Sequence, residues 1–217
     1  MHEHTVFLEI SGPTAMWTRP DTGDAPVSYP APTLSAVKGI FESILWSQWA
    51  EVVPIQVEIC KPIVYHSYTT NYGGPLRKAS VRRHGASYQL LATVLVDVCY
   101  RFYAEIEADP SNYHRHGGSE NQRIGTTNGV HAYEEMFQRR LNRGQFFSTP
   151  YLGWKEFAPS YVGPFRAGTS VCADINLIIP SMLRTCFPHG RSSEWQPDFR
   201  QGVRVEKGVL RYAQRTL

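Results

Sequence analysis

The chain has 217 residues, of which 42% are hydrophobic and 19% are charged, and its formal net charge at pH 7 is +3. This composition is typical of a soluble globular protein, and no stretch approaches the roughly 20 consecutive apolar residues that a transmembrane helix requires. The small net charge favours no class of ligand by itself, because many enzymes that act on small molecules carry a similar charge.

The N-terminal residues run from charged side chains directly into an alternating apolar pattern. A signal peptide would instead carry an apolar core and a small-residue cleavage site, so we expect a cytoplasmic protein. Val6, Leu8 and Ile10 occupy every second position, which predicts a strand that Ser-Gly-Pro at residues 11–13 brings to an end. The prolines between residues 17 and 32 predict a long loop after it.

An amphipathic helix and a second strand are predicted after this loop. Thr33 is suited to cap the helix, because a threonine hydroxyl accepts a hydrogen bond from a free backbone N–H of the first turn. Apolar residues then recur at three- and four-residue spacing, and the helix is predicted to end at about Gln48. Alternation from Ile55 to Ile59 predicts the strand, and Pro62 indicates that the strand ends there or lies near a sheet edge.

The segment from Asn71 to Gly85 is basic, contains glycine and has no acidic residue. Its notable residues are Tyr72, Gly73, Gly74, Arg77, Lys78, Arg82 and Arg83. Glycines allow close approach of the backbone, and basic residues beside aromatic ones combine phosphate neutralisation with base stacking. The cluster therefore indicates an RNA-binding loop. The alternative for any single residue is a solvated surface loop or ordinary strand packing.

The second half of the chain begins with a long strand, predicted by the alternation over residues 88–105. The polar, glycine-rich residues 108–129 predict a loop that contributes nothing to a core. Helical spacing then covers residues 130–141, with Gly144 at the expected C-cap, and the aromatic-rich residues 152–161 predict a further strand. Three arginines that suit the negative end of the helix dipole close this helix, namely Arg139, Arg140 and Arg143.

The predicted order of strand, helix, strand, strand, helix, strand is that of an α+β ferredoxin-like (RRM-like) βαββαβ fold, in which two helices cover one face of an antiparallel sheet. We assign this domain to residues 1–165. Residues 166–217 are predicted to form a small C-terminal antiparallel β-sheet extension, with a turn at Lys207-Gly208. Many RNA-binding modules share the ferredoxin-like layout, but a layout alone assigns no function.

Four runs of the sequence together resemble one family. They cover residues 12–46 (GPTAMWTRPDTGDAPVSYPAPTLSAVKGIFESILW), 65–78 (YHSYTTNYGGPLRK), 88–100 (YQLLATVLVDVCY) and 131–157 (HAYEEMFQRRLNRGQFFSTPYLGWKEF). In this order they resemble the type I-C (Dvulg) CRISPR-associated pre-crRNA endoribonuclease, the Cas-five family of the RAMP superfamily. The resemblance implies a ferredoxin-like domain with a small β-sheet extension. It also implies recognition of the CRISPR repeat hairpin and one metal-independent cut at the base of its stem.

The partners implied by the resemblance are RNA and protein. Members of the family retain the 5′ handle of the guide RNA, the crRNA, and join the type I-C surveillance complex (Cascade) with its backbone and large subunits. A non-catalytic subunit that only binds the 5′ handle is the alternative that the basic loop fits equally well. Contact with duplex DNA through the same basic surface is a further expectation, because attraction to phosphates depends little on sequence.

Cleavage without a metal requires deprotonation of the ribose 2′-OH, a proton for the leaving 5′ oxygen and positive charge near the phosphorus. In the family a histidine at this place in the pattern is implicated in cleavage, so the resemblance points to His131. Without the resemblance, His131 is better explained as a histidine at a helix start, where Glu135, four residues on, could pair with it. Tyr68 and Lys78 are our candidates to assist it. The predicted RNA-binding residues are Tyr65, Tyr72, Gly73, Gly74, Arg77, Arg82 and Arg83.

The chain departs from the family pattern at two places. Some members carry a lysine just before the histidine and a tyrosine near the end of the first helix, whereas this chain has Val130 and Leu45-Trp46. The catalytic set is therefore not transferred whole, and residues 65–85 are the expected source of the missing groups. The spacing of five further histidines, His66, His84, His114, His116 and His189, predicts no metal site, and we expect no cofactor.

Overall fold

The computed structural model describes residues 4–47, 50–72, 88–108, 125–186 and 195–212. In chain order the strands and helices are β1 (Thr5–Ala15), α1 (Leu34–Ile44), β2 (Ala50–Ile59), β3 (Tyr65–Tyr72), β4 (Tyr88–Ala108), α2 (Gly125–Arg143), β5 (Tyr161–Gly163), β6 (Leu177–Thr185), β7 (Asp198–Glu206) and β8 (Val209–Arg211). Within these ranges no helix has both the length and the apolar character to cross a lipid bilayer. The chain is thus a mixed α/β protein made mostly of strands.

The eight strands form one curled sheet in the order β5-β1-β4-β2-β8-β7-β6, with β3 also paired to β4. Every pairing between these strands is antiparallel. The long strand β4 organises the sheet: its first part, from Tyr88 to Leu95, pairs with β3, and its later part, from Tyr100 to Ala108, pairs with β2. The other edge of β4 pairs with β1.

Both helices pack against this sheet and against each other. α1 starts where predicted, because the Thr33 hydroxyl accepts a hydrogen bond from the backbone N–H of Ala36. It ends at Ile44 rather than Gln48, since Leu45 already has an extended backbone with φ −147° and ψ 115°. Phe41 of α1 lies 5.6 Å from Phe137 of α2, measured between ring centroids. These rings belong to one large core shared by both helices and the sheet.

Three further predicted boundaries are wrong. β1 continues through residues 11–13 to Ala15, because β4 keeps pairing with it at Gly12 and Thr14. Gly12 suits this crowded strand, since a Cβ there would lie 2.5 Å from Leu152. α2 begins at Gly125, inside the segment that polarity predicted to be a loop. Residues 152–160 form turns and irregular chain, and the strand after them, β5, covers only three residues.

The C-terminal strands continue the same sheet. β7 and β8 form a hairpin whose two-residue turn, Lys207-Gly208, has φ of 50° and 76°, as a type I′ turn requires and as the sequence predicts. β8 pairs with β2, and Leu210 and Tyr212 are buried in the main core. The division of the chain into two domains at residue 165 stays a prediction.

A charged cluster around one buried carboxylate joins the loop after β5 to the sheet. We call Glu9, Arg101, Arg166 and Thr169 the Glu9 cluster. The Glu9 carboxylate is fully buried and accepts hydrogen bonds from the backbone N–H of Arg166 at 3.0 Å, from its Nε at 2.5 Å, from the Thr169 hydroxyl at 2.8 Å and from Arg101 Nε at 3.3 Å. Burial acts to raise the pKa of Glu9, but these hydrogen bonds outweigh it and lower the pKa.

Candidate active site

His131 lies on the exposed face of α2. Apolar residues of this helix face the core at Val130, Tyr133, Phe137 and Leu141, in the spacing that the sequence predicts. His131 is exposed, as expected for a residue off that stripe. It does not open the helix, however, because α2 already begins at Gly125. His131 therefore lies within the helix and not at its first position.

Two further residues meet His131, and sequence reasoning missed both. The rings of His4 and His131 lie edge to face with centroids 4.3 Å apart. Nδ1 of His4 lies 3.4 Å from the Glu134 carboxylate, and that carboxylate belongs to the same helix as His131. We call His4, His131 and Glu134 the histidine cluster.

Strand geometry explains why His4 reaches α2. The His4 carbonyl accepts a hydrogen bond from the backbone N–H of Ile106, so the residue is fixed beside the end of β4. Side chains of a strand alternate between the two faces of a sheet. His4 has the same parity as the buried Val6 and Leu8, which face the helices, whereas Glu9 points to the opposite face. This parity is the only sequence signal for the position of His4, and it does not say which helical residue His4 meets.

The structure accounts for one departure from the family pattern. Val130, where some members carry lysine, is buried in the core. A side chain at this position faces the core, whereas His131 lies on the exposed face of the helix. The buried Tyr133 hydroxyl instead lies at the end of α1, where it donates a 2.6 Å hydrogen bond to the Leu45 carbonyl. Burial raises the pKa of this hydroxyl, which therefore stays protonated and holds the two helices together.

An aromatic groove lies beside the junction of the two helices. It has a volume of about 670 Å³ and runs between α1 and residues 147–153. Three aromatic side chains along it are exposed, Trp46 by 50%, Phe147 by 74% and Tyr151 by 45%. Backbone hydrogen bonds from residues 147 and 148 to the last turn of α1 hold the second wall in place. We call Trp46, Phe147 and Tyr151 the aromatic groove.

The exposed face of α2 continues from His131 to the arginines at its end. His131, Glu135, Arg139 and Arg143 recur every four residues and are all exposed. At about 1.5 Å of rise per residue, Arg139 lies roughly 12 Å along the helix from His131 and Arg143 roughly 18 Å. Arg140 differs from them, because its guanidinium donates to the Ile44 carbonyl at 3.4 Å. This contact is with the end of α1, so the prediction that the three arginines complement the dipole of their own helix stays a prediction.

The tyrosines of β3 lie elsewhere. Tyr65 is exposed and pairs in register with Leu95. The half-buried Tyr68 pairs with Ala92 and packs against a small cluster of Met16, Ala92 and Val94. Burial raises the pKa of both hydroxyls, so they are donors at neutral pH. Tyr72 ends the strand, opposite Tyr88. The other residues predicted for this segment, Gly73, Gly74, Arg77, Lys78, Arg82 and Arg83, lie outside the described residues.

β3 and the histidine cluster occupy opposite ends of β4. Tyr68 is next to Ala92, whereas His4 is next to Ile106, and a strand rises about 3.3 Å per residue. The contacts found for Tyr68 and for His131 have no residue in common. The structure therefore brings His4 and Glu134 to His131, and it does not bring Tyr68 there.

A family model for CRISPR-associated proteins (Cas_Cas5) matches residues 5–216. The chain belongs to this family. The family predicted from the four sequence runs is thereby confirmed, and a type I-C origin is consistent with it.

Two relatives of this Cas5 family chain carry the name CRISPR pre-crRNA endoribonuclease Cas5d. The protein from Thermus thermophilus is 29% identical over 158 residues, which cover 72% of this chain and 62% of the Thermus protein. The protein from Mannheimia succiniciproducens is 33% identical over 167 residues, which cover 70% of this chain and 69% of the relative. The match thus spans less than two thirds of the Thermus protein.

Solved structures share the fold of this chain. A crystal structure of a CRISPR-associated protein superposes with a TM-score of 0.67 at 17% identity, covering 96% of this chain and 91% of the other. The protein SMU1763c from Streptococcus mutans, described as functionally uncharacterized, gives 0.66 at 17% identity, with 96% and 92% covered. At this identity the likeness concerns the fold alone.

Proposed function

We propose that this Cas5 family chain is a metal-independent endoribonuclease that cleaves CRISPR repeat RNA at its hairpin and keeps the 5′ handle as a subunit of a type I-C surveillance complex. One observation carries the proposal. His131 is exposed on a formed helix, at the place in the family pattern where a histidine is implicated in cleavage. The two relatives named as pre-crRNA endoribonucleases support the same substrate class.

The proposed reaction needs few protein groups. A ring nitrogen of His131 accepts the proton of the ribose 2′-OH, and the resulting 2′ oxygen attacks the adjacent phosphorus. The bond from phosphorus to the 5′ oxygen breaks, and that oxygen takes up a proton from solvent, while His131 returns its proton to solvent. The products are a 2′,3′-cyclic phosphate and a 5′-OH. Lys78 stays our prediction for the positive charge near the phosphorus, while the position of Tyr68 favours a role in RNA binding over one in proton transfer.

RNA binding is assigned to the exposed face of α2, to the aromatic groove and to the region around β3. Arg139 and Arg143 lie along the same exposed helix face, where guanidinium groups can bind successive phosphates. Bases stack on exposed aromatic rings regardless of sequence, and the aromatic groove offers three such rings next to the end of α1. Tyr65 and the basic segment after β3 are proposed to bind a more distant part of the RNA.

The finer structural predictions belong to the same proposal. The strand order β5-β1-β4-β2, with α1 after the first strand and α2 before the last, supports a ferredoxin-like domain. The C-terminal strands β6 to β8 are then the proposed β extension. Binding of the backbone and large subunits, contact with duplex DNA and a cytoplasmic location stay predictions.

A second function is favoured by the buried position of Val130. Some family members carry a lysine just before the histidine, but this chain has the buried Val130 at that position. It also has Leu45-Trp46 near the end of α1, where some members have a tyrosine. A chain without these groups suits a non-catalytic subunit that binds the 5′ handle and joins the guide RNA to the complex. This alternative uses the same RNA-binding surfaces.

Cleavage of a 5′-labelled type I-C repeat hairpin in EDTA separates the two functions. We expect the parent protein to cut once, and His131→Ala to bind the hairpin with unchanged affinity without cutting it. His66→Ala is the matched control, because His66 is an exposed histidine on β3. Binding without cleavage by the parent protein would favour the handle-binding subunit. Cleavage by His131→Ala at the parental rate would remove His131 from the mechanism.

A further inference from the structure

We propose that His4, His131 and Glu134 form a binding site for one divalent transition-metal ion of the zinc class. One ligand atom from each of these residues can be chosen so that the three atoms lie within 4.8 Å of one another. Among the described residues this is the one group of three or more metal-ligating side chains that close. The site lies where the start of β1 meets α2, and nothing in the proposed reaction requires it.

The backbone places these three side chains together. His131 and Glu134 are three residues apart on α2, so they share one helix face, and an i, i+3 pair of carboxylate and histidine is a spacing that metal-binding helices use. His4 is fixed from the sheet side by its carbonyl hydrogen bond to Ile106. Two of the ligands therefore come from a rigid helix and the third from an ordered strand end.

The distances require only small side-chain rotations. Zinc binds histidine nitrogen at about 2.0–2.1 Å and carboxylate oxygen at about 2.0–2.2 Å, which puts ligand atoms roughly 3.3 Å apart in a tetrahedral site. His4 Nδ1 and the Glu134 carboxylate are already 3.4 Å apart. The His131 ring is exposed on the neighbouring turn and can rotate toward them without disturbing the core.

The donor set selects the class of ion. Two imidazole nitrogens and one carboxylate oxygen suit zinc, cobalt or nickel, whereas magnesium and calcium prefer oxygen ligands alone. Three protein ligands leave a fourth tetrahedral position for water, as in open zinc sites. His4 and Glu134 are partly shielded from solvent, with side chains 18% and 38% exposed, while His131 keeps the site accessible.

A bound ion would have a consequence for RNA cleavage, and this consequence rests on the proposed function. The ion occupies a nitrogen lone pair of His131, which is then unable to accept the 2′-OH proton. Zinc is therefore expected to inhibit cleavage that proceeds in EDTA. Metal binding itself does not depend on cleavage, so the two can be measured separately.

The test is isothermal titration of the tag-free, RNA-free protein with zinc chloride, together with the absorption spectrum of the cobalt complex. We expect one ion per chain, and at least about a 10-fold loss of affinity in each of His4→Ala, His131→Ala and Glu134→Gln. Thermal melting in EDTA checks that each variant is folded. His66→Ala is the matched control and should bind zinc as the parent does.

The metal site would be overturned by the absence of saturable zinc binding, or by a zinc affinity that the three ligand variants leave unchanged. Loss of affinity in His66→Ala would also overturn it, because the ion would then be bound elsewhere. A protein that binds zinc through this site but never cuts RNA keeps the metal site and rejects the proposed nuclease. A protein that cuts RNA but binds no zinc rejects the metal site and keeps the proposed nuclease.

Discussion

The Glu9 cluster and the histidine cluster both place a carboxylate against nitrogen-bearing side chains. Glu9 lies on β1 and His4 lies just before it, and the two side chains face opposite sides of the sheet. Glu9 is fully buried, and its oxygens accept four hydrogen bonds from Arg166, Thr169 and Arg101. Glu134 is partly exposed, and its neighbours His4 and His131 keep ring nitrogens accessible. A saturated, buried carboxylate stabilises a fold, whereas an open cluster can bind or react. A glutamate carboxylate can thus serve different purposes, according to its burial and its partners.

The largest expected difference between the clusters is in catalysis. His131→Ala should lower the rate of single-turnover cleavage by about 10² to 10⁴-fold, the contribution typical of a general acid–base residue. It should change the free energy of unfolding by less than about 0.5 kcal/mol, because the side chain is exposed. Labelled-hairpin cleavage and denaturant unfolding measure the two effects. A large loss of stability would mean that His131 acts on the fold.

Glu9→Gln should show the opposite behaviour. Removing the charge leaves Arg101 and Arg166 without their buried partner, and the free energy of unfolding should fall by about 3 kcal/mol. Glu51→Gln is the matched control: Glu51 pairs with Lys38 on the surface, where the loss should stay below about 1 kcal/mol. Denaturant titration measures both. Equal effects of the two substitutions would show that burial does not set the strength of the Glu9 cluster.

The aromatic groove is exposed like the histidine cluster, and we expect it to bind RNA. Trp46→Ala should weaken binding of the repeat RNA by about 1–3 kcal/mol, the range for a base stacked on one aromatic side chain. Trp195→Ala is the control, because Trp195 is also exposed but lies outside the groove. Fluorescence anisotropy at a fixed salt concentration provides the affinities. Equal losses for the two variants would argue against stacking in the groove.

The smallest effect concerns acid stability. The pKa of Glu9 is lower in the folded protein than in the unfolded chain, so the unfolded chain takes up a proton first as the pH falls. The stability that Glu9 contributes is therefore complete above its unfolded pKa, near the ordinary value of 4.5, and is lost as the pH falls through its folded pKa. Between pH 7 and pH 3 the melting temperature of Glu9→Gln should decline less steeply than that of the parent protein. An equal decline in both proteins would contradict this assignment.

Predictions from local pattern succeeded where one segment determines its own structure. The Thr33 cap, the alternation along β4, the buried stripe of α2 and the Lys207-Gly208 turn all follow from spacing within a few residues. Boundaries failed where a partner decided them. β1 runs past residues 11–13 because β4 continues beside it, and α2 starts early in a polar segment that has no apolar stripe to reveal it.

The candidate site was predictable only in part. The exposure of His131 follows from its place off the apolar stripe, and its importance follows from the family pattern. His4 was not predictable as its neighbour, because 127 positions of chain separate the two residues and strand parity fixes only the face of the sheet. The tyrosines of β3 were grouped with His131 by chemical type, but β4 holds them at its other end.

The sequence by itself determined the family, most of the helices and strands and the outward direction of His131. These depend on short-range spacing and on runs of residues that periodicity and resemblance detect directly. Only the tertiary structure decided which side chains surround His131, why Glu9 is buried with two arginines and why Val130 is a core residue. Those outcomes depend on contacts between segments distant in the chain, and such contacts form because strands pair side by side and helices bury one face against the sheet.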